Sequence, residues 1–128
     1  MDGDHRLAQQ RPGPHYALVR VVLEPRTQRT VYISPNAFSW LREAYGDGAR
    51  EGPGHVDLKQ EAVEGASFAL VEAGLGGEVT VTEIRYANAD TAPGDVRFAA
   101  AHAVWKALGH EPQHLPWIDE EGVHFPKT

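Results

Sequence analysis

Seven histidines, three of them in a carboxylate-rich C-terminal stretch, are the residues here whose types invite chemistry first. His110 and His114 stand four apart, and Glu111, Asp119, Glu120 and His124 follow closely, a donor set that suits a divalent cation. Two ligands at that spacing share a face only within a helix, and Gly109 and Pro112 disfavour a helix there. A solvated tail is the simpler expectation, and no metal ligand is assigned. His55 and Asp57 offer a base and its orienting carboxylate. However, no serine lies in a nucleophile elbow and the chain has no cysteine, so loop and capping roles are expected for the pair. His102 shares a helical stripe with Phe98 and Trp105 and reads as a packed core histidine. The glycine stretches DGAREGPG and GLGG lack the Lys-Ser/Thr of a phosphate-binding loop, and GLGG follows a helix where such a loop follows a strand. No catalytic residue and no cofactor is expected.

A different chemistry is available at Arg85, Tyr86, Asn88 and Arg97, which flank a short polar turn. Guanidinium groups pair with phosphate, and a phenol ring stacks on a base. These four residues form the candidate contact surface.

The elements that must position them follow from periodicity. The stretch that opens at Glu78, behind Gly77, carries β-branched residues (Val79, Val81, Ile84) and predicts a strand. Asn88, Asp90, Thr91, Pro93 and Gly94 predict the turn, with Asp90 or Thr91 as a helix cap. A helix then runs to Gly109, a residue suited to a left-handed C-terminal position. Val96, Ala100, Ala103 and Ala107 line one face of it and Phe98, His102 and Trp105 an adjoining one, so it should be buried nearly all round. Upstream, residues 1–14 are polar, end in Pro-Gly-Pro and read as a mobile N-terminal arm. HYALVRVVLE (15–24) alternates as a strand, Pro25–Gln28 reads as a hairpin turn, and RTVYI (29–33) as its return strand. Ser34-Pro35 predicts a helix start, with Phe38, Leu41 and Ala44 at helical spacing. A helix from about His55 buries Ala62, Val63, Ala66, Leu70 and Ala73 and turns Glu61, Glu64 and Glu72 to water. Gly65 in mid-helix implies close packing against another element. The order β-β-α-α-β-α indicates an α+β fold with helices on one face of a small sheet.

The 128 residues suffice for one domain, at 15–109, with 110–128 a tail packed on it. A formal net charge of −6 argues against strong non-specific nucleic-acid binding. No membrane-length apolar run and no leader is visible, and a cytoplasmic location is expected.

From Ala62 onward the chain resembles domain IV of translation elongation factor G. The matching residues are Ala62, Val63, Gly65, Gly74, Gly77, Val79, Ile84 and Arg85, then Thr91, Ala100, Ala101, Trp105 and Lys106. The strand Tyr16–Pro25 is similar to the family's opening strand. The tip segment YANAD is shorter than the family's and lacks its histidine. The resemblance implies a mixed sheet of about four strands with a left-handed crossover, against the general rule. It also implies a non-enzymatic, translation-related module that contacts RNA or the ribosome through the tip around Arg85–Arg97. The alternative expectation is a protein-interaction or homodimerisation module, motivated by Phe38/Trp40 and Trp117/Phe125, with Trp40 off the inward stripe of its helix. A small hydrolase using the tail histidines ranks last.

Overall fold

A computed structural model describes residues 1–127. The elements are β1 (Asp2–Gln9), β2 (His15–Glu24), β3 (Arg29–Ile33), α1 (Trp40–Tyr45), α2 (His55–Ala73), β4 (Gly77–Arg85), α3 (Asp95–Leu108), β5 (Trp117–Asp119) and β6 (Gly122–His124). Strands β1 to β4 form a four-stranded mixed sheet in the order β1-β2-β4-β3, and β5 and β6 form a separate hairpin. This is the α+β fold with helices against one face. The inward parity of β2 supplies Ala17, Val19, Val21 and Leu23, all buried, while Arg20, Val22 and Glu24 face solvent. In β4 the buried residues are Gly77, Val79 and Val81, then Ile84. A register shift opposite Arg20 and Val21 absorbs the extra residue, which returns Ile84 to the core side.

Two sequence expectations are corrected. The segment expected as a mobile arm forms β1, paired antiparallel with β2 from Asp2↔Val22 to Gln9↔His15. Only Leu7 of this strand is buried, so its place comes from backbone pairing with the β2 edge. Gly3 also permits close approach, because a Cβ there would overlap the Ala103 carbonyl of α3. The expected β2–β3 hairpin does not form: β3 pairs in parallel with β4, and β4 lies between β3 and β2. β4 brings two fully buried valines and an isoleucine, and a central position covers them better than an edge would.

Helices α2 and α3 lie side by side, α3 over β1 and β2 and α2 over β3 and β4. Their contact is built from small residues, among them Ala62, Gly65, Ala66 and Ala69 of α2 and Ala100 and Ala103 of α3, all buried. Gly65 meets the Arg97 carbonyl so closely that a Cβ could not be placed, which accounts for glycine in mid-helix. α3 is buried nearly all round, as its composition requires. Gly74 and Gly109 adopt left-handed φ of 66° and 65° and end α2 and α3. The helix starts differ from those the sequence predicts. α1 begins at Trp40, after Ser34 Oγ has accepted the Asn36 N–H, and α3 begins at Asp95 behind Gly94. Glu61 and Glu72 do not face water freely either. Glu61 Oε1 accepts the Gly94 and Arg97 N–H groups at 3.1 and 3.2 Å, answering open donors at the start of α3. Burial raises its carboxyl pKa all the same. Glu72 accepts the His110 ring and the N–H groups of Gln113 and His114, and so holds the tail. Burial opposes ionisation of Glu72, but those hydrogen bonds outweigh it and hold the carboxyl below its ordinary range. Beyond them the β5–β6 hairpin leads to Phe125, edge-on to Phe68 of α2 at 5.0 Å. No helix among the described residues is long and apolar enough to cross a membrane.

In an exposed helix, Gly65→Ala would gain about 1 kcal/mol of helix propensity. Here the added methyl must push α2 off the α3 backbone, so a net loss of about 1–3 kcal/mol in urea denaturation is expected. A gain in stability would contradict the close approach of the two helices.

Candidate functional site

The C-terminal end of β4 carries Arg85 and Tyr86, and the tip loop 87–94 follows. The loop is closed by its own turns, with the Asp90 and Thr91 N–H groups on the Ala87 carbonyl. Thr91 is the clasp and not the helix cap: its Oγ1 accepts the Ala87 N–H at 2.8 Å and donates to the Tyr16 carbonyl at 2.7 Å. Beneath the loop lies Asp95, fully buried. It accepts His15 Nδ1–H at 2.6 Å, the Tyr16 N–H at 3.0 Å and the Ala92 N–H at 2.8 Å. One carboxylate thus joins β2, the tip loop and α3.

On the other flank is an aromatic cluster. Phe38 stacks on His55 with centroids 4.4 Å apart, and Trp40 meets Tyr86 edge-on at 5.3 Å. Trp40, expected off the inward stripe, is buried, and its Nε1–H donates to the Ile84 carbonyl at 2.6 Å. The His55 tautomer follows from its partners. Nδ1 accepts the Gly52 N–H at 2.8 Å, so the hydrogen sits on Nε2 and is donated to Tyr86 Oη at 2.7 Å. Burial lowers the His55 pKa, which favours this neutral form, and burial also raises that of the Tyr86 phenol. His55, Leu58, Tyr86, Asn88 and Thr91 line a slot of about 280 Å³.

Of the four residues expected as a contact surface, Arg85, Tyr86 and Asn88 stay together at this end. Tyr86 and Asn88 line the slot, while Arg85 lies 5.7 Å from the Trp40 ring centre and donates to Glu83 at 3.0 Å. Arg97 does not join them. Its guanidinium lies 4.0 Å over the Phe125 ring, and its backbone N–H is taken by Glu61, at the junction of α2, α3 and the tail. Arg42 and Arg50 instead flank Phe38 across a neighbouring hollow. Arg50 spends its guanidinium on the Asp47 and Ala49 carbonyls, leaving its charge unneutralised by those contacts.

The histidines singled out in the sequence are dispersed. His110 binds Glu72, and His124 binds Asp119 while stacking on Trp117. Among the described residues no group of three or more His, Asp or Glu side chains is arranged to hold a metal ion. His102 packs against Phe98, Trp105 and, unexpectedly, His5 of β1, with parallel-leaning rings 4.6 Å apart. Sequence reasoning missed His15 and Asp95. A signal was present, since His15 shares the parity of Ala17, Val19 and Val21 and so begins the buried face of its strand.

No protein-family profile matches the chain, and no curated protein matches it. Over 86% of its length the chain is similar to a crystallographically solved protein of Thermus thermophilus, with a TM-score of 0.55 and 18% identity. It spans 16% of that protein's chain, so the likeness is to one portion of a longer polypeptide and is a likeness of fold.

The His5–His102 pair sets a pH response. Burial, then His102 and Lys106, press the His5 pKa from 6.5 to about 4, and burial, then Lys106, lowers that of His102. Between those values the unfolded chain binds more protons than the folded one, so this contribution is complete above pH 6.5 and fades as pH falls toward 4. Urea midpoints measured across that interval should fall with acidification, and His5→Phe should flatten the dependence. An unchanged slope in the variant would mean that other groups carry it.

Proposed function

We propose that the chain is a non-enzymatic binding module of the elongation factor G domain IV type, which engages RNA, free or in the ribosome, through the tip at Arg85, Tyr86 and Asn88. The observation that carries this is the slot of about 280 Å³ at the end of β4, open to solvent, with the exposed Asn88 amide on its rim and the Tyr86–His55 pair as its wall. Such a recess suits one unstacked base: an aromatic wall offers stacking, and an amide offers both a donor and an acceptor to a base edge. Arg42 and Arg50 beside Phe38 supply the phosphate-facing charge in place of Arg97. The four-stranded mixed sheet with helices on one face is the kind of scaffold the resemblance implies, and it supports the reading at that level alone. A role in translation would place the protein in the cytoplasm.

The test is retention of labelled ribosomal RNA at low and moderate salt. Salt-sensitive binding is expected, and Arg42→Ala with Arg50→Ala should reduce the log–log salt slope by about 0.7 for each phosphate left without its guanidinium. Asn88→Ala should weaken binding and Arg97→Ala should leave it unchanged. Retention indifferent to salt and to these substitutions would count against the module as an RNA binder.

A second reading, a self-associating or protein-binding module, is favoured by the sheet's outer face. There Val22, Thr80 and Tyr32 form one cross-strand row, with Val22 40% and Tyr32 52% exposed. Sedimentation decides it: a dimer that Tyr32→Glu converts to monomer supports this face, and a monomeric wild-type chain removes homodimerisation.

A further inference from the structure

A second cavity, of about 540 Å³, lies between the β1–β2 turn, the tip loop and the β5–β6 turn. Its lining includes Asp90, Asp119, Glu120 and Glu121, and no lysine or arginine lines it. Asp119 is partly engaged by His124 and by the Glu121 N–H, whereas Glu120 and Glu121 are exposed. An acidic wall alone specifies no ligand. The deciding feature is His15, which also lines the cavity although its side chain is only 6% exposed.

His15 is fixed from behind. Nδ1 donates to Asp95, and the Tyr16 and Ala92 N–H groups hold that carboxylate in place, so the ring cannot turn without unseating a buried charge. In the neutral ring the lone pair then resides on Nε2. That atom has no protein partner among the described residues, and it is not one of the buried atoms sealed from solvent. The cleft therefore combines one rigid acceptor with several acidic residues along its lining.

We infer that this cleft binds a primary alkylammonium group, one N–H donating to His15 Nε2 and the others to the carboxylates. An ammonium has three donors and no acceptor, which complements a wall made of acceptors. A bare divalent cation fits less well, because it needs ligands converging at about 2.0–2.6 Å, and no such group of three exists among the described residues. Charge-assisted N–H···O bonds of about 2.7–2.9 Å, made by a group on a flexible stem, tolerate carboxylates spread round an open cavity. The ammonium can come from a free polyamine or from a lysine side chain of a basic polypeptide. This inference does not rest on the RNA-binding proposal.

The test uses the full chain with spermidine in one arm and a capped trilysine peptide in the other, followed by calorimetry and by ¹⁵N resonances of the histidine rings. Saturable binding with a shift confined to His15 Nε2 is expected in at least one arm, and the tighter arm identifies the source. The exposed pair Glu120→Gln, Glu121→Gln should weaken it about tenfold without changing the thermal midpoint, as removal of charge-assisted hydrogen bonds implies. His15→Gln should weaken it further, and the carboxylate pair keeps the test decisive if that variant unfolds. Binding by neither probe, binding indifferent to the carboxylate pair, a His15 Nε2 that is protonated in the free protein at neutral pH, or a Zn²⁺ titration that shifts His15 where neither amine does would each overturn it.

Discussion

A carboxylate with no solvent exposure must have its lone pairs answered by protein donors, and Asp95 has its answer from three donors at two places in the chain. His15 and Tyr16 come from the start of β2, about eighty positions away, and Ala92 from the tip loop. Losing one of these donors would leave a buried charge under-solvated, a far larger penalty than the net worth of one hydrogen bond. β2, the tip loop and α3 therefore hold one relative geometry. Thr91 repeats the tie from the loop side through the Tyr16 carbonyl. Thr91 lines both the Tyr86 slot and the acidic cleft, so this junction ties the two cavities to one frame.

The second constraint is the closeness of α2 and α3. Side chains no larger than methyl groups let the two backbones approach until the Gly65 position touches the Arg97 carbonyl. Such proximity brings polar groups across the interface as well. Trp105 Nε1–H reaches the Ala69 carbonyl at 3.2 Å, and Glu61 reaches the amides at the start of α3. Of the three glutamates expected to face water, Glu64 is exposed, but Glu61 and Glu72 do not behave as solubilising residues. Each accepts backbone N–H groups from a segment packed on α2. The acidity of α2 is in this respect structural.

What was legible in the sequence was local and apolar: α2, β4, α3, their glycine stops and the α+β class all follow from periodicity. What was not legible was pairing at a distance. DGDHRLAQ has one large apolar residue and gains its order from an open β2 edge, which no property of the segment itself reveals. The turn residues between β2 and β3 predict a hairpin, yet β4, arriving after two helices, takes the intervening place in the sheet. The expected contact surface divides for the same reason. Arg85, Tyr86 and Asn88 are neighbours along the chain and stay neighbours in the fold. Arg97 belongs with them only by sequence distance across a turn, and the Phe125 ring of the tail claims it instead.

The histidines show why composition could not assign roles and geometry can. An imidazole offers two nitrogens, and its role follows from how many the protein satisfies. His55 has both satisfied, by the Gly52 N–H and the Tyr86 hydroxyl, and so acts as a strut that braces the slot. His5 Nδ1 and His102 Nε2 are sealed from solvent without a partner, and burial, with Lys106 close by, disfavours the protonated form of either ring. His110 meets the Glu72 carboxylate, whose side chain is 2% exposed, and pins the tail to α2, whereas His124 pairs with Asp119 inside the β5–β6 hairpin. His15 alone combines a side chain 6% exposed, one nitrogen locked by a buried carboxylate and a place on the wall of an open cavity. A fold that needed His15 only for packing could have placed an apolar residue at that inward position and omitted the buried carboxylate with it, at little cost in stability. Retaining both ties β2, the tip loop and α3 together and, with the same contacts, fixes the His15 ring on which the proposed ammonium site rests.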